Sequence, residues 1–232
     1  MDIFGRALSD FYNSNQANYT DNQAETLWLH NSYDEPEEMP VAVFFRSAEE
    51  MPELEHQALA LCRGKVLDVG AGVGSHALIL QEKGIDVTAI DISAEAVKIM
   101  QQRGVKKAFV HNIFTLKERY DTLLFLMNGI GLTGTLKGLE TFLQQAKTLI
   151  RPGGQLLFDS SDISYLYEDL PRPKQHYFGE IQYRYVYKNQ QGEWFNWLYI
   201  DPQMLRHIAK QTGWQCDLIY EDDADQYLAR LY

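Results

Sequence analysis

Cysteine is nearly absent from this chain: its 232 residues include only Cys62 and Cys216. Two thiols cannot build a disulfide framework or a four-cysteine zinc site, and both are expected to be buried. Long apolar runs are missing too. No stretch approaches the roughly 20 residues of a membrane span. The N-terminus, MDIFGRALSDFYN, is too polar for a signal peptide, so the expectation is a cytoplasmic protein with no membrane partner. Cations are in deficit, 21 Lys and Arg against 32 Asp and Glu, for a net charge of −11. Such a chain repels a phosphate backbone, and no Lys/Arg cluster of the kind that tracks nucleic acid appears anywhere in it, which argues against DNA and RNA as partners. Metal-ligand spacing is also lacking. Glu49 and Glu50, and Asp222, Asp223 and Asp225, are adjacent carboxylates typical of solvated loops, so no metal is expected.

What is present is concentrated between Lys65 and Ser93, KVLDVGAGVGSHALILQEKGIDVTAIDIS. Val66, Leu67 and Val69 read as a buried strand of a parallel sheet. Gly70, Gly72 and Gly74, with Ala71 between the first two, form a turn that lets backbone approach a ligand, and the helix that follows aims its free amides at the same place. Gly84 ends that helix, and Val87, Ala89 and Ile90 form a second strand with Asp91 at its end. A carboxylate about 20 residues past a glycine turn is placed to accept hydrogen bonds from a ribose. The dinucleotide fingerprint asks for G-x-G-x-x-G, whereas here the spacing is G-x-G-x-G with Ser75 where the third glycine would fall, which disfavours NAD. Asp68, beside the turn, would repel a pyrophosphate and suits a cationic cofactor.

These motifs, DVGAGVG followed by AIDIS, resemble those of class I methyltransferases that use S-adenosylmethionine. RYDTLLFLMNGIG is similar to the family's fourth strand, LIRPGGQLLFDSSD to its Pro-Gly-Gly turn and fifth strand, and GWQCDLIYED to the strand after its last helix. The resemblance covers Gly64 to Leu231 apart from one insertion. It implies that Asp68 lies near the cofactor's methionine amine, that Ile92 lies beside the adenine, and that the backbone of Met127 and Asn128 meets the methionine amine. The family usually has an acidic residue after the third strand; here Asn112 stands there, and its carbonyl could still accept from the adenine amine, with the amide of Ile113 serving the ring. Asn128 reads equally well as a turn residue before Gly129. Arg46 sits where small-molecule members pair an arginine with the cofactor carboxylate, though a solvated Arg beside Glu49 and Glu50 is an equal reading.

The implied fold is α/β, a Rossmann-like, mostly parallel seven-stranded sheet flanked by helices. Residues 61–160 and 201–232 are expected to form it, with 1–60 a helical lid region and 161–200 an inserted cap. Ile3, Phe4, Ala7, Leu8, Phe11 and Tyr12 recur at helical spacing. The polar stretch from Asn13 to Pro40 is expected to be irregular. Ile181, Tyr183, Tyr185 and Tyr187 alternate with Gln182, Arg184, Val186 and Lys188, which predicts a two-stranded hairpin with Trp194 to Ile200. The aromatics Tyr165, Tyr167, Tyr177, Phe178, Tyr183, Tyr185 and Tyr187 suggest either a cage for an amine or a generic apolar wall. His76 and His111 read as structural histidines or bases. Asp159, His111 or a cap tyrosine could supply a base, and no motif specifies which. The Asn/Asp-Pro-Pro-aromatic motif of enzymes that methylate planar nitrogens is replaced by MNGIG. The function implied is methyl transfer from S-adenosylmethionine to nitrogen or oxygen of a small molecule, the alternative being a non-catalytic module that keeps the fold.

Overall fold

The computed structural model describes residues 2–16, 26–168 and 171–232. The chain opens with helix α1 (Ile3–Gln16), strands β1 (Leu27–Asn31) and β2 (Glu37–Met39), a 3-10 turn at Val41–Phe45, and helix α2 (Glu53–Leu61). An alternation follows: β3 (Lys65–Val69), α3 (Ser75–Glu82), β4 (Asp86–Asp91), α4 (Ala94–Gln102), β5 (Ala108–Val110), β6 (Tyr120–Phe125), α5 (Leu136–Leu149) and β7 (Ile150–Ser161). Then come β8 (Glu180–Tyr187), β9 (Gln190–Gln191), β10 (Phe195–Leu198), α6 (Pro202–Gln211), β11 (Cys216–Glu221) and β12 (Gln226–Leu231). Among the described residues no helix is long and apolar enough to cross a membrane.

The larger sheet has seven strands in the order β11, β12, β7, β6, β3, β4, β5. Its β3–β4, β3–β6, β4–β5 and β6–β7 pairs are parallel, and β12 runs antiparallel to both neighbours. Alternation along each strand splits the apolar side chains between two faces. Leu67, Val69, Leu123, Phe125, Leu156 and Phe158 pack with α5 and α6, while Val66, Ala89, Leu124, Leu157 and Leu228 pack with α2, α3 and α4. Each of the Val, Leu and Phe side chains among them, when fully buried, contributes about 1.5–3 kcal/mol. Strand β3 is flanked by β4 on one side and β6 on the other, so chain order reverses there and a crevice opens at the carboxyl ends.

The insertion differs from the expected two-stranded hairpin. Strands β8 and β10 do pair antiparallel, Tyr183 opposite Phe195, but β1 pairs with the other edge of β8, Leu29 opposite Tyr185, and β2 and β9 complete a five-stranded sheet. The expectation of irregular chain from Asn13 to Pro40 is therefore corrected for residues 27–31 and 37–39, and also for residues 13–16, which continue α1. The reason is non-local: an isolated hairpin leaves β8 an open edge, and the short alternating segment LWLHN covers it. Cys216 is a second correction, being only half-buried where Cys62 is buried. Residues 17–25 of the same expected irregular stretch lie outside the described residues.

Hydrogen bonds fasten this second sheet to the first. Ser160 Oγ donates to Asn128 Oδ1 at 2.9 Å and accepts from the Ile200 amide at 3.1 Å, and Asn128 Nδ2 donates to the Leu198 carbonyl at 3.3 Å. The Trp197 ring lies against the Gly129–Thr133 turn so closely that a Cβ on Gly131 would fall 2.2 Å from its Nε1. Gly131→Ala should therefore overpack this seam and destabilise the protein by about 1–3 kcal/mol. A thermal unfolding midpoint within a degree of the parent would contradict that packing.

Candidate active site

The crevice is built first from the glycine turn. Gly70, Gly72 and Gly74 have φ of +67°, +55° and +82°, and the amides of Gly70 and Ala71 both donate to the Ile90 carbonyl, at 3.0 and 3.1 Å. Their lack of Cβ serves two purposes. At Gly74 a Cβ would lie 2.8 Å from Val105 Cγ2, so packing alone requires glycine there, whereas at Gly70 it would meet nothing within 4 Å and the space above the turn is open. Asp91 closes one side of it. Its carboxylate is buried and accepts from the Gly72 amide at 2.9 Å and the Ser93 amide at 2.8 Å, with burial raising its pKa. Both oxygens keep a lone pair for a ligand.

Ile92, next along, is 76% exposed, and with half-exposed Phe114 it offers an apolar rim beyond Asp91. Asn112 lies nearby but its Oδ1 already accepts from the Phe114 amide at 2.9 Å, capping a 3-10 turn, so its amide group is partly committed to local structure. Ile113 is buried beneath, its carbonyl held by Gln145 Nε2 at 3.2 Å. His111 is tied through its backbone, its amide donating to the Asp91 carbonyl at 3.0 Å. Met127 and Asn128, at the end of β6, both take left-handed backbone, with φ of +58° and +53°. For residues other than glycine such conformations cost about 1–3 kcal/mol each and persist where surroundings over-determine them.

Beneath the turn lies an ionic cluster that was only partly legible in the sequence. Arg46 does not pair with Glu49 or Glu50. Its Nη2 meets Glu55 Oε1 at 2.6 Å, while Glu55 Oε2 meets His76 Nε2 at 2.8 Å. Asp68, on the same face of β3 as Val66, is 1% exposed, and its Oδ2 has no hydrogen-bond partner. Asp159, at the end of β7, accepts from the Asn128 amide at 2.8 Å through Oδ2 and leaves Oδ1 buried and unpartnered. Arg46 Nε is likewise orphaned. Burial pushes Asp68 up to about 6 against the pull of His76, and burial pushes Asp159 up to about 7 against its bond from Asn128. His76 is raised, the Glu55 bond and the charges of Asp68 and Asp159 outweighing its own burial. Glu55 escaped the sequence reading, although a signal existed: it interrupts the buried stripe of α2 between Leu54 and Ala58, and a carboxylate there must have a partner.

Over the crevice lie α1 and the inner face of the second sheet. Phe4 stacks on Tyr185 with centroids 5.2 Å apart and meets Phe44 edge-on at 5.0 Å, and Asp2 Oδ2 accepts from Ser93 Oγ at 2.5 Å. The Tyr185 hydroxyl is raised by burial and then by the charge of Asp91. Tyr183 and Tyr199 face inward as well, with hydroxyls 3.5 Å apart and both raised by burial. Of the expected aromatic run, Tyr167, Tyr177, Phe178, Tyr183 and Tyr185 gather in one apolar cluster with Leu29, Ile163 and Ile181, while the other two stand apart. Tyr187 packs with Ile3, Ala7 and Leu27, Tyr165 is exposed, and Tyr177 bonds Asp201 at the start of α6. Strand alternation sets Ile181, Tyr183, Tyr185 and Tyr187 on one face of β8.

The raised carboxylates have a consequence for stability. A carboxyl whose folded pKa exceeds its unfolded value stabilises the fold below that unfolded value and loses this contribution as pH rises through the folded pKa. For Asp68 and Asp159 the window runs from about pH 4 to about pH 7, and raised His76 acts in the same direction. Glu55, lowered despite its burial by His76 and Arg46, acts oppositely, losing its contribution as pH falls. Without ligand, Asp159→Asn should flatten the decline of unfolding free energy between pH 5 and 8 in denaturant titrations. An unchanged slope would show that Asp159 is ionised throughout.

Comparison with known proteins agrees with this geometry. A family model described as a methyltransferase domain matches residues 41–219. A solved S-adenosylmethionine-dependent methyltransferase from Bacteroides fragilis, in complex with S-adenosyl-L-homocysteine, is 42% identical, with a TM-score of 0.88 over 100% of this chain and 94% of its own. The glycine/sarcosine N-methyltransferase of Aphanothece halophytica is 21% identical over 70% of this chain and 71% of its own length. The CcbJ methyltransferase of Streptomyces caelestis, at 14% identity and a TM-score of 0.60 over 79% of this chain and 93% of its own, shares the fold. The open glycine turn, the buried Asp91 and the match over most of the chain lead to one conclusion: this protein belongs to the class I S-adenosylmethionine-dependent methyltransferases.

Proposed function

We propose that the protein methylates a small molecule, a neutral amine in preference to a hydroxyl, held between the glycine turn and the second sheet. The observation that carries this reading is the inner face of that sheet, where Tyr185 stacks on Phe4 of α1 and the Tyr183 and Tyr199 hydroxyls lie 3.5 Å apart. S-adenosylmethionine supplies an electrophilic methyl group on a sulfonium. The residues present fit it: Gly70 has open space where a Cβ would stand, Asp91 keeps acceptor capacity for ribose hydroxyls, and the orphaned Asp68 Oδ2 and Arg46 Nε complement an ammonium and a carboxylate.

In this reading Gly70, Ala71, Gly72 and Gly74 shape the cradle, Ile92 and Ile113 flank the adenine with Asn112, and Met127 and Asn128 turn backbone toward the methionine end. The lid and second sheet keep water out and hold the acceptor in line, which is most of what a methyl displacement asks of a protein. Among the described residues α1 and the second sheet supply that cover, while α2 packs against the parallel sheet and belongs with the cofactor half. The tyrosine hydroxyls, all raised, stay neutral near physiological pH and serve as hydrogen-bond donors, not bases. That suits an amine, which needs only to arrive unprotonated, better than an alcohol, which needs a base. The glycine/sarcosine N-methyltransferase among the relatives lends the same direction modest support.

Two outcomes are expected. Asp91→Ala should weaken S-adenosylmethionine binding by about 10- to 100-fold in calorimetric titration, as loss of a charged hydrogen-bonding group does. In a methyl-transfer assay over small amines, phenols and short peptides, turnover should concentrate among the amines, and Tyr199→Phe should raise KM for the acceptor more than it lowers kcat. Turnover confined to phenols or to peptides would overturn the acceptor class.

A further inference from the structure

The end of the large sheet opposite the crevice holds a second cavity, of about 430 Å³, whose walls bring together Arg63, Arg119, Lys147, Arg151 and Arg230. The folded chain thus gathers a basic site that no linear run announces, since these residues come from the start of β3, the start of β6, the end of α5, the start of β7 and the end of β12. This stands out in a chain whose net charge is −11. Like charges crowd together at a cost, so a cluster of this kind is usually matched by carboxylates. Here the match is thin. Arg151 Nη1 pairs with Asp121 Oδ2 at 3.0 Å, but Arg63 Nη2 donates to the Gly153 carbonyl at 3.0 Å, Arg119 Nε to the Thr148 carbonyl at 3.1 Å, and Lys147 Nζ to the Gly213 carbonyl at 3.1 Å. Arg230 stacks over the Tyr232 ring at 4.8 Å, stands opposite Asp217 in register without an ion pair to it, and keeps a buried Nε with no partner. Neutral carbonyls orient these cations without cancelling their charge.

From this we infer a second binding site, for a compact anion bearing more than one phosphate group. The chemistry follows from shape and charge together. Guanidinium groups that line one surface depression can meet phosphate oxygens in bidentate fashion. The volume falls in the range of small-ligand pockets, about 300–1,000 Å³. An extended nucleic acid would have to run past the acidic remainder of the surface, whereas a compact anion sits wholly within the local positive field. The site is separate from the methyl-transfer crevice by the length of the parallel strands, so occupancy there does not compete with the cofactor.

The test is calorimetric titration of the full chain with inorganic pyrophosphate and, separately, with ADP, on the parent and on Arg119→Gln/Arg230→Gln. Saturable one-to-one binding is expected, weakening with added salt and falling at least tenfold in the double variant, while S-adenosylmethionine binding and the unfolding midpoint stay near the parent. Equal affinity for pyrophosphate and ADP would identify the phosphates as the whole determinant; tighter ADP would add the nucleoside. Absence of saturable binding by either at millimolar concentration, or binding unaffected in a folded double variant, would overturn the site. Because S-adenosylmethionine is titrated in parallel, failure of this site is distinguishable from failure of the methyltransferase site.

Discussion

The buried ionic cluster beneath the glycine turn is the constraint on which the site depends. Glu55, Asp68 and Asp159 bring three carboxylates into a space shared with Arg46 and His76. Buried charge is tolerated only when paired, and here the pairing stops one positive charge short when all three acids are ionised. Burial raises Asp68 and Asp159 toward the protonated form, and two carboxylate oxygens remain without partners. In the proposed site, a ligand that carries an ammonium and a sulfonium would supply the missing charge. The same groups reach into the scaffold: α2 contributes Glu55, α3 His76, β3 Asp68 and β7 Asp159, so the cluster links four elements around the sheet's reversal point.

A second dependence joins cover to floor. Asn128 lies at the end of β6 in left-handed backbone, donates its amide to Asp159, and clasps Ser160 and Leu198 with its side chain. One residue therefore connects the acidic cluster, the core strand β7 and the cover strand β10. Of the two readings offered by its sequence position, the backbone shows the turn residue before Gly129. On the opposite flank α1 is fastened by Asp2 to Ser93, beside Asp91, and by Phe4 to Tyr185, so the lid and the second sheet meet above the same carboxylate.

The parallel sheet, the glycine turn and Asp91 were legible because their signals are local: a short apolar run, glycines at fixed spacing, a carboxylate at a fixed distance. The second sheet was half legible. The alternation of Ile181, Tyr183, Tyr185 and Tyr187 announced β8, but β1 exists only because β8 offers it an edge, and the acidic residues around Glu37 concealed that role. Arg46 was found by position, yet its partner is Glu55, nine residues on, and not the adjacent Glu49 or Glu50. The basic cavity at the far end was invisible for the same reason: its cations are scattered through the chain and converge only when the strands align.

The direct test of the central claim is proton exchange on cofactor binding, measured by titrating S-adenosylmethionine calorimetrically at pH 6.5 in two buffers of different ionisation heat. If a cationic ligand completes the buried cluster, binding must lower the pKa of Asp68 and Asp159 and release protons. Net release that shrinks in both Asp68→Asn and Asp159→Asn is the predicted result. Tight binding with no proton exchange, or with release unchanged in both variants, would contradict it and leave the cluster a structural feature unrelated to the ligand.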